Sequence, residues 1–297
     1  DLMEHRRCAR RLGAAAALAT AAVVVTTAIP ETPPRVALAA TITPGSATNW
    51  QADGIDSFYG IPWNDTYGPT EVSPFHLVDF WNSWANIVDD LDAAQGDGFP
   101  DVVVSSGRGA GNASAVLTYL AAKNAADPRL VDTFWILDNN VDRPNGGYAT
   151  RYPSWALVGV NPVPAANTTG AAILDVGYEY VWNSSAPAYI SNLPALLNSI
   201  IAYAYRYAQQ DQVSIPDVIL DGEGRLVPGA SGHYVVHTDG SWTRYDTAPG
   251  VTTVYVTYET EHLPMLQPLR DLGGKLGNTI ADVVEPVLRV LVNAGYP

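Results

Sequence analysis

The stretch Asp101–Ser114, DVVVSSGRGAGNAS, most strongly limits what this 297-residue chain can fold into. It begins with three β-branched residues, Val102 to Val104, a pattern typical of a strand that is buried on both faces. A glycine turn follows at 107–111, and the alanine-rich segment after it has apolar residues at helical spacing. The stretch therefore predicts a buried strand, a sharp turn and a helix in immediate succession.

The same order of elements forms the nucleophile elbow, G-x-S-x-G, in which a serine is exposed at the tip of the turn. With Gly107 and Gly111 in the two glycine positions, the serine position is Gly109, which has no hydroxyl. The N–H of the next residue, Ala110, is then expected to donate to an oxyanion. A second donor is expected at Ser46, after an early strand, although an ordinary turn explains that residue equally well.

Strand and helix patterns alternate along the rest of the chain. Strands are predicted at Thr133–Asp138, Ala171–Val176 and Val251–Tyr258, and helices at Leu193–Gln209 and Leu276–Asn293. This alternation predicts an α/β sandwich with a mostly parallel central sheet flanked by helices. The last helix has an apolar stripe that we expect to pack against the sheet, formed by Ile280, Val283, Val284, Val287, Leu288 and Leu291.

The first 39 residues have the pattern of an export signal. A basic segment at 5–11 precedes the uncharged apolar run Leu12–Ala28, and Ala37-Leu38-Ala39 is an A-x-A cleavage pattern. We therefore expect a signal peptide at 1–39, or else an N-terminal anchor, and one domain at 40–297. A secreted or cell-envelope location follows from this expectation. Cys8, the only cysteine, lies in the leader, so the cleaved protein would contain no disulfide.

Composition and charge exclude several partners. A formal net charge of −14 argues against nucleic-acid binding and against docking on an anionic membrane. The spacing of His233, His237 and Asp239 mixes metal-ligand types but matches no zinc pattern, and polar side chains of a hairpin explain it better. We therefore expect neither a metal nor a cofactor. The sequence does not predict the oligomeric state.

Two longer phrases resemble one protein family. They are Arg143-Pro144-Asn145-Gly146-Gly147 and a closing segment that includes LPMLQPLR at 263–270 and PVLRVLVNAGY at 286–296. From about Thr41 to its C-terminus the chain resembles the PE-PPE domain, a cutinase-like α/β-hydrolase domain of actinomycete cell-envelope proteins. The resemblance implies serine esterase or acyltransferase activity, with an ester or lipid carrying an acyl chain as the partner.

The resemblance also assigns a catalytic triad, and two of its three positions lack their functional group. The family elbow, G-Y-S-Q-[GS]-A, aligns with residues 107–112, so that Gly109 replaces the serine. The family phrase D-V-T-R-E-Y-D-G-F-A-D-F-P aligns with residues 175–187, where Ser185 stands at the acid position. His262, after the last strong strand, takes the histidine position.

These losses favour a catalytically impaired pseudo-hydrolase that still binds ester or lipid ligands. Removing the nucleophile of a comparable triad lowers the rate about a million-fold. The alternative is an active esterase or acyltransferase with a displaced nucleophile, for which Ser105, Ser106 and Ser114 are the nearby hydroxyls. Two weaker interpretations are a structural domain without a ligand and hydrolysis by a water that carboxylates activate, with candidates at Asp138, Asp142, Asp175 and Glu179.

Overall fold

The computed structural model describes residues 41–42, 58–63, 67, 83–94, 101–165, 167, 170–207 and 209–296. All of them lie within one compact unit, Ala37–Pro297. The predicted leader with Cys8 and the proposed oxyanion donor Ser46 fall outside the described residues.

The centre of the fold is a seven-stranded sheet with the strand order β1-β2-β3-β4-β7-β5-β6. All neighbouring strands run parallel except β5 and β6, which form an antiparallel hairpin at one edge. The predicted α/β fold with a mostly parallel sheet is confirmed. The strands are β1 Thr41–Ile42, β2 Asp101–Ser106, β3 Thr133–Asp138, β4 Ala172–Tyr178, β5 Gly232–Val236, β6 Trp242–Tyr245 and β7 Val254–Tyr258.

Helices cover both faces of the sheet because successive side chains of a strand point to opposite faces. In β2, Val102 and Val104 belong to the core that contains Ala202 and Ala281, whereas Val103 belongs to the core that contains Ile87. The described helices are α1 Ser83–Ala94, α2 Arg108–Lys123, α3 Pro128–Val131, α4 Tyr148–Arg151, α5 Leu193–Arg206 and α6 Gln267–Asn293. Short 3-10 segments occur at Phe58–Gly60, Pro153–Val158, Gln210–Gln212 and Pro264–Leu266. The described part of the chain contains no helix that is both long and apolar enough to cross a membrane.

The predicted packing of the last helix is wrong in part. Val284 and Leu288 pack against the core, but Val283 and Val287 are 73% and 67% exposed. Ile280 and Leu291 are exposed as well. The buried face of α6 carries Gly277, Ala281, Glu285 and Val292 instead. The buried face of α6 is thus offset by about one residue from the predicted stripe. Small residues and one carboxylate, rather than the predicted apolar side chains, lie on that buried face.

Candidate functional site

The turn between β2 and α2 has its apex at Gly107. This residue has φ 57° and ψ −115°, a conformation that glycine adopts readily and other residues adopt only with strain. Its N–H donates to the Asp138 carbonyl at 2.9 Å, and its carbonyl accepts from the Gly111 N–H at 3.2 Å. These bonds fix the end of the strand to the start of the helix at a single residue.

The prediction that Gly109 forms this apex is wrong. Helix α2 begins at Arg108, so Gly109 and Ala110 are buried in its first turn. The error arose because the glycines at 107, 109 and 111 allow the pattern to be placed two residues too late. With Gly107 at the centre of the elbow, the N–H that follows the apex is that of Arg108 rather than Ala110. The corrected centre is still a glycine, so the absence of a hydroxyl at the apex persists.

The position that a nucleophile side chain would occupy at the apex is filled by Tyr207. A Cβ built on Gly107 would overlap the Tyr207 hydroxyl and lie 3.1 Å from Asn183 Nδ2. The same hydroxyl lies 3.4 Å from Ser106 Oγ. Tyr207 follows helix α5 in the chain, about a hundred residues after the elbow, so no local motif predicts it. The apex residue therefore has no side-chain hydroxyl of its own, and the Tyr207 hydroxyl occupies the space where one would lie.

The buried carboxylate of Asp138 lies beside the elbow. Strands β2 and β3 run parallel, and at their carboxyl ends Ser106 pairs with Asp138. Ser106 Oγ donates to it at 2.7 Å and Gln210 Nε2 at 2.9 Å. Tyr59 Oη donates at 2.6 Å and Asn139 Nδ2 at 3.2 Å. Burial raises the pKa of Asp138 to about 6, although all four donors act in the opposite direction. The group connects the elbow to the 58–60 and 210–212 segments.

The other carboxylates considered for activating a water lie in different surroundings. Asp142 and Asp175 are buried, and burial raises the pKa of both carboxyls. Asn161 Nδ2 donates to Asp142 at 2.7 Å, and Asn140 Nδ2 donates to Asp175 at 3.0 Å. Glu179 accepts the backbone N–H of Thr260 at 3.0 Å. These contacts tie loops to the sheet, and Asp142 and Asp175 lie in the interior, where Asp175 adds to the rise in the Asp142 pKa.

The phrase Arg143-Pro144-Asn145-Gly146-Gly147 holds the loop that follows β3. Arg143 Nη2 donates at 3.0 Å to both the Val256 carbonyl and Thr257 Oγ1, and Nε lies 3.3 Å from Asp175 Oδ1. A Cβ on Gly177 would overlap Arg143 Nη1, so the guanidinium needs a glycine in β4. Gly146 and Gly147 likewise leave room for the carbonyls of Ser184 and Val141. The phrase is therefore structural: it joins β4, β7 and the loop.

Among the described residues, no hydrogen bond joins Ser185 to His262. Ser185 is half-buried, and its N–H donates to the Val181 carbonyl at 2.7 Å. The residue of this loop that approaches the elbow is Asn183, which sequence reasoning missed. The sequence feature that could have identified Asn183 is its position, two residues before Ser185 in the loop that was predicted to contain the catalytic acid.

His262 is held by a carboxylate that the sequence did not predict. Its Nδ1 lies 3.1 Å from Glu285 Oε2. Arg270 and Arg289 bind the same carboxylate, at 2.8 and 2.5 Å. Burial acts to raise the pKa of Glu285, but the Leu263 N–H and the two guanidinium groups outweigh it, and the net pKa is lowered. The family pattern places the acid at Ser185, but the carboxylate that contacts His262 belongs to Glu285 on α6.

Aromatic side chains surround the elbow. Tyr203 stacks on Tyr207 with ring centroids 4.8 Å apart, and Trp182, next to Asn183, stacks on both Tyr148 and Tyr152 at 5.7 and 5.6 Å. Burial raises the pKa of Tyr148 to about 12, with a smaller upward effect of the Asp142 carboxylate and an opposing effect of the Arg108 guanidinium. The elbow thus combines polar groups next to Gly107 with aromatic rings around them.

An apolar groove of about 390 Å³ lies farther along α5. It is lined by Leu193, Pro194, Leu196, Leu197, Ile200 and Met265. Leu196, Ile200, Tyr203 and Tyr207 are spaced by four, three and four residues, so they share one face of the helix. This face extends about 16 Å, from the groove to the elbow.

The three residues considered as a metal site have separate partners. His233 Nε2 lies 2.9 Å from Thr257 Oγ1, and burial, with a smaller effect of Arg143, lowers its pKa to about 4. Asp239 accepts hydrogen bonds from Ser241 within its own turn. The residues that the structure describes contain no group of three His, Cys, Asp or Glu side chains arranged to hold a metal ion.

The parallel sheet and the strand–turn–helix elbow define an α/β-hydrolase-like protein. A family comparison matches the PE-PPE domain over residues 66–297. The chain belongs to the PE-PPE domain family, as the resemblance predicted, and that family is α/β-hydrolase-like and lipid esterase-like. No solved structure matches the chain.

Three proteins of Mycobacterium tuberculosis are similar to the chain. The PPE family protein PPE42 (strain CDC 1551 / Oshkosh) is 28% identical over 202 residues, or 66% of this chain and 30% of that protein. Esterase PE16 (strain ATCC 25618 / H37Rv) is 23% identical over 255 residues, or 80% of this chain and 43% of that protein. PE family protein PE3 (strain ATCC 25618 / H37Rv) is 28% identical over 277 residues, or 82% of this chain and 50% of that protein. The chain thus spans half or less of the length of these relatives.

Proposed function

We propose that this chain is a pseudo-hydrolase of the esterase fold that binds ester or lipid ligands without cleaving them at its elbow. The observation that carries the proposal is the Tyr207 hydroxyl, which fills the space where a side chain on Gly107 would lie. A serine hydrolase needs a hydroxyl, a base and an acid in mutual contact. In this chain the apex is glycine, Ser185 bonds to backbone, and His262 pairs with Glu285.

The ligand we propose is a long acyl chain in ester linkage. The apolar groove beside Leu196 and Ile200 and the α5 face that leads from it to Tyr207 support this class of ligand. The esterase activity named for PE16 supports it at the level of the family. Export and association with the cell envelope remain part of the proposal, on the basis of the leader pattern at 1–39.

Binding of a fluorescent long-chain alkyl ether, which has no bond to hydrolyse, tests the ligand class. Ile200→Glu places a carboxylate in the groove, so we expect the affinity to fall at least tenfold because the charge must be desolvated. Leu272→Glu is the matched control, since Leu272 is an exposed leucine of α6 that does not line the groove. Equal affinity in the two variants would remove the groove from the proposal.

The alternative is an ester hydrolase or acyltransferase with a displaced nucleophile. One contact favours it: Ser106, the residue before the apex, donates to the Asp138 carboxylate at 2.7 Å and lies beside the Tyr207 hydroxyl. Reaction with a fluorophosphonate followed by peptide mapping separates the two functions. The pseudo-hydrolase predicts no label within residues 101–123 or on Tyr207, whereas a label on Ser106 or Tyr207 would establish the alternative.

A further inference from the structure

Three side chains outside the elbow form a carboxylate–imidazole–hydroxyl sequence. His237 Nδ1 lies 2.8 Å from Glu259 Oε2, and His237 Nε2 lies 2.8 Å from Thr243 Oγ1. The imidazole and the carboxylate are 32% and 42% exposed, so solvent and small molecules reach them. The arrangement is that of an activated nucleophile: a hydroxyl within reach of a base that a third group orients.

The fold positions the three groups from three neighbouring strands. His237 and Glu259 directly follow the parallel strands β5 and β7, and the Glu259 N–H donates to the Val236 carbonyl at 2.9 Å. Thr243 lies in β6, which the turn after His237 returns antiparallel to β5. The carboxyl ends of parallel strands are the edge at which open α/β sheets build their sites.

The hydrogen bonds favour the tautomer that base catalysis requires. Glu259 accepts the Nδ1 proton of neutral His237, which leaves the Nε2 lone pair to accept the Thr243 Oγ1 proton. β6 is the last strand of the described sheet, and an edge strand has outward N–H groups that can bind an oxyanion. Tyr245, two residues along β6 and therefore on the same face as Thr243, is exposed and offers an aromatic surface to a small ligand.

We propose that Thr243, His237 and Glu259 form a second site, at which Thr243 accepts an acyl group from small aryl esters. Thr243 Oγ1 forms a bond to the ester carbonyl carbon while its proton passes to His237 Nε2. The C–O bond to the phenol then breaks, and the phenol leaves with that proton. Water attacks the acyl-threonine in the same way, with its proton passing through His237, and the carboxylic acid leaves.

This site is distinct from the elbow. The elbow follows β2 and His237 follows β5, four positions away in the sheet order, or roughly 19 Å at the usual strand spacing. The inference therefore does not rest on the proposed lipid binding. The proposed substrate is a small activated ester, because the apolar groove described above is lined by α5 residues and Met265 and not by Thr243.

Labelling with a fluorophosphonate tests the inference, since an activated hydroxyl forms the P–O bond and fluoride leaves. We expect a label on Thr243, absent in Thr243→Val, retained in Thr243→Ser and slowed about a hundredfold in His237→Gln. Glu259→Gln should slow labelling, and Glu259→Asp should restore part of the rate, which a purely structural role would not do. Ser241→Ala is the control because Ser241 Oγ binds Asp239 in the same hairpin.

Melting temperatures establish that each variant is folded, and release of p-nitrophenol from p-nitrophenyl acetate provides a second measurement. A folded wild-type protein that takes no label on Thr243 would overturn the inference. An unchanged rate in folded His237→Gln would overturn it as well. A label on Ser106 or Tyr207 would contradict the pseudo-hydrolase proposal and not the proposal for Thr243. The two proposals can therefore be overturned independently.

Discussion

Gly107 and Tyr207 together determine what the elbow can do. The positive φ of Gly107 favours glycine, and the Tyr207 hydroxyl occupies the space of a side chain there. In an active elbow the strained residue carries the nucleophile. In this chain the strained residue is glycine, and a residue from another element has taken the space.

Gly107→Ala separates the two constraints. We expect it to lower the free energy of unfolding by about 1–3 kcal/mol for the strained backbone at positive φ, plus about 1–3 kcal/mol for the overlap with Tyr207. Gly229→Ala is the control because Gly229 has φ 84° with nothing within 4 Å of a built Cβ, so it should lose only the first amount. Denaturant unfolding measures both. Tyr207→Phe in the Gly107→Ala background should recover part of the loss, and equal losses at the two glycines would contradict the account.

The buried Asp138 carboxyl makes stability depend on pH. Its pKa rises from 3.8 to about 6 on folding, so the folded state holds the proton more tightly than the unfolded state. Its contribution is therefore fully present below about pH 4 and is lost as the pH rises through about 6, with a total on the order of 3 kcal/mol. Melting temperatures of the wild-type protein and Asp138→Asn should converge or cross over this range. A constant difference between pH 4 and 7 would contradict the raised pKa.

Arg143 shows how one loop is joined to the sheet. Its guanidinium bonds to β7 and faces Asp175 of β4, while Gly177 leaves it room. The sequence at 143–147, on which the family resemblance was based, therefore has a structural role. It holds the loop between β3 and α4, and the Tyr148 N–H at the start of α4 donates to the Asn183 carbonyl beside the elbow.

Arg143→Met should lower the free energy of unfolding by about 3–5 kcal/mol, because it leaves Asp175 buried without its partner. Arg225→Met is the matched control, since Arg225 pairs with Glu223 at the surface and both side chains are at least 60% exposed. The control should change stability by less than about 1 kcal/mol. Denaturant unfolding of the two variants measures the difference. Comparable losses would show that Arg143 does not have the proposed role.

Local patterns predicted the elements well where one signal dominated. Thr133–Asp138 was predicted with the bounds that the structure has, because a run of apolar residues between polar ends is typical of a buried strand. The elbow was displaced by two residues because its three alternate glycines permit more than one placement. The face of α6 was misassigned because apolar residues cover more of the helix than the core buries, with Val283 and Val287 exposed.

The contents of the site could not be predicted from the sequence. Tyr207, Glu285 and Asn183 reach their positions through contacts between distant elements, and no spacing rule relates them to Gly107 or His262. The family pattern supplied the triad positions, but it could not show that His262 pairs with α6. Position in a motif predicts a residue's role only when its partners are present.

Two proposed sites lie at different positions of the same sheet. The elbow, the α5 face and the apolar groove lie along one path, which we propose binds the acyl chain. The Glu259–His237–Thr243 site lies toward the antiparallel edge. A formal net charge of −14 disfavours electrostatic attraction to anionic lipid surfaces, so apolar contact would have to provide the affinity.

The most direct test of the central claim is the fate of a long-chain ester bound to the protein. The measurement uses Thr243→Val, so that any cleavage reports on the elbow, and follows the protein and ligand by mass spectrometry over time. The account predicts a stoichiometric complex in which the ester stays intact, with free fatty acid released at the rate seen without protein. Release of one equivalent of alcohol, with the acyl group attached to Ser106 or Tyr207, would contradict it.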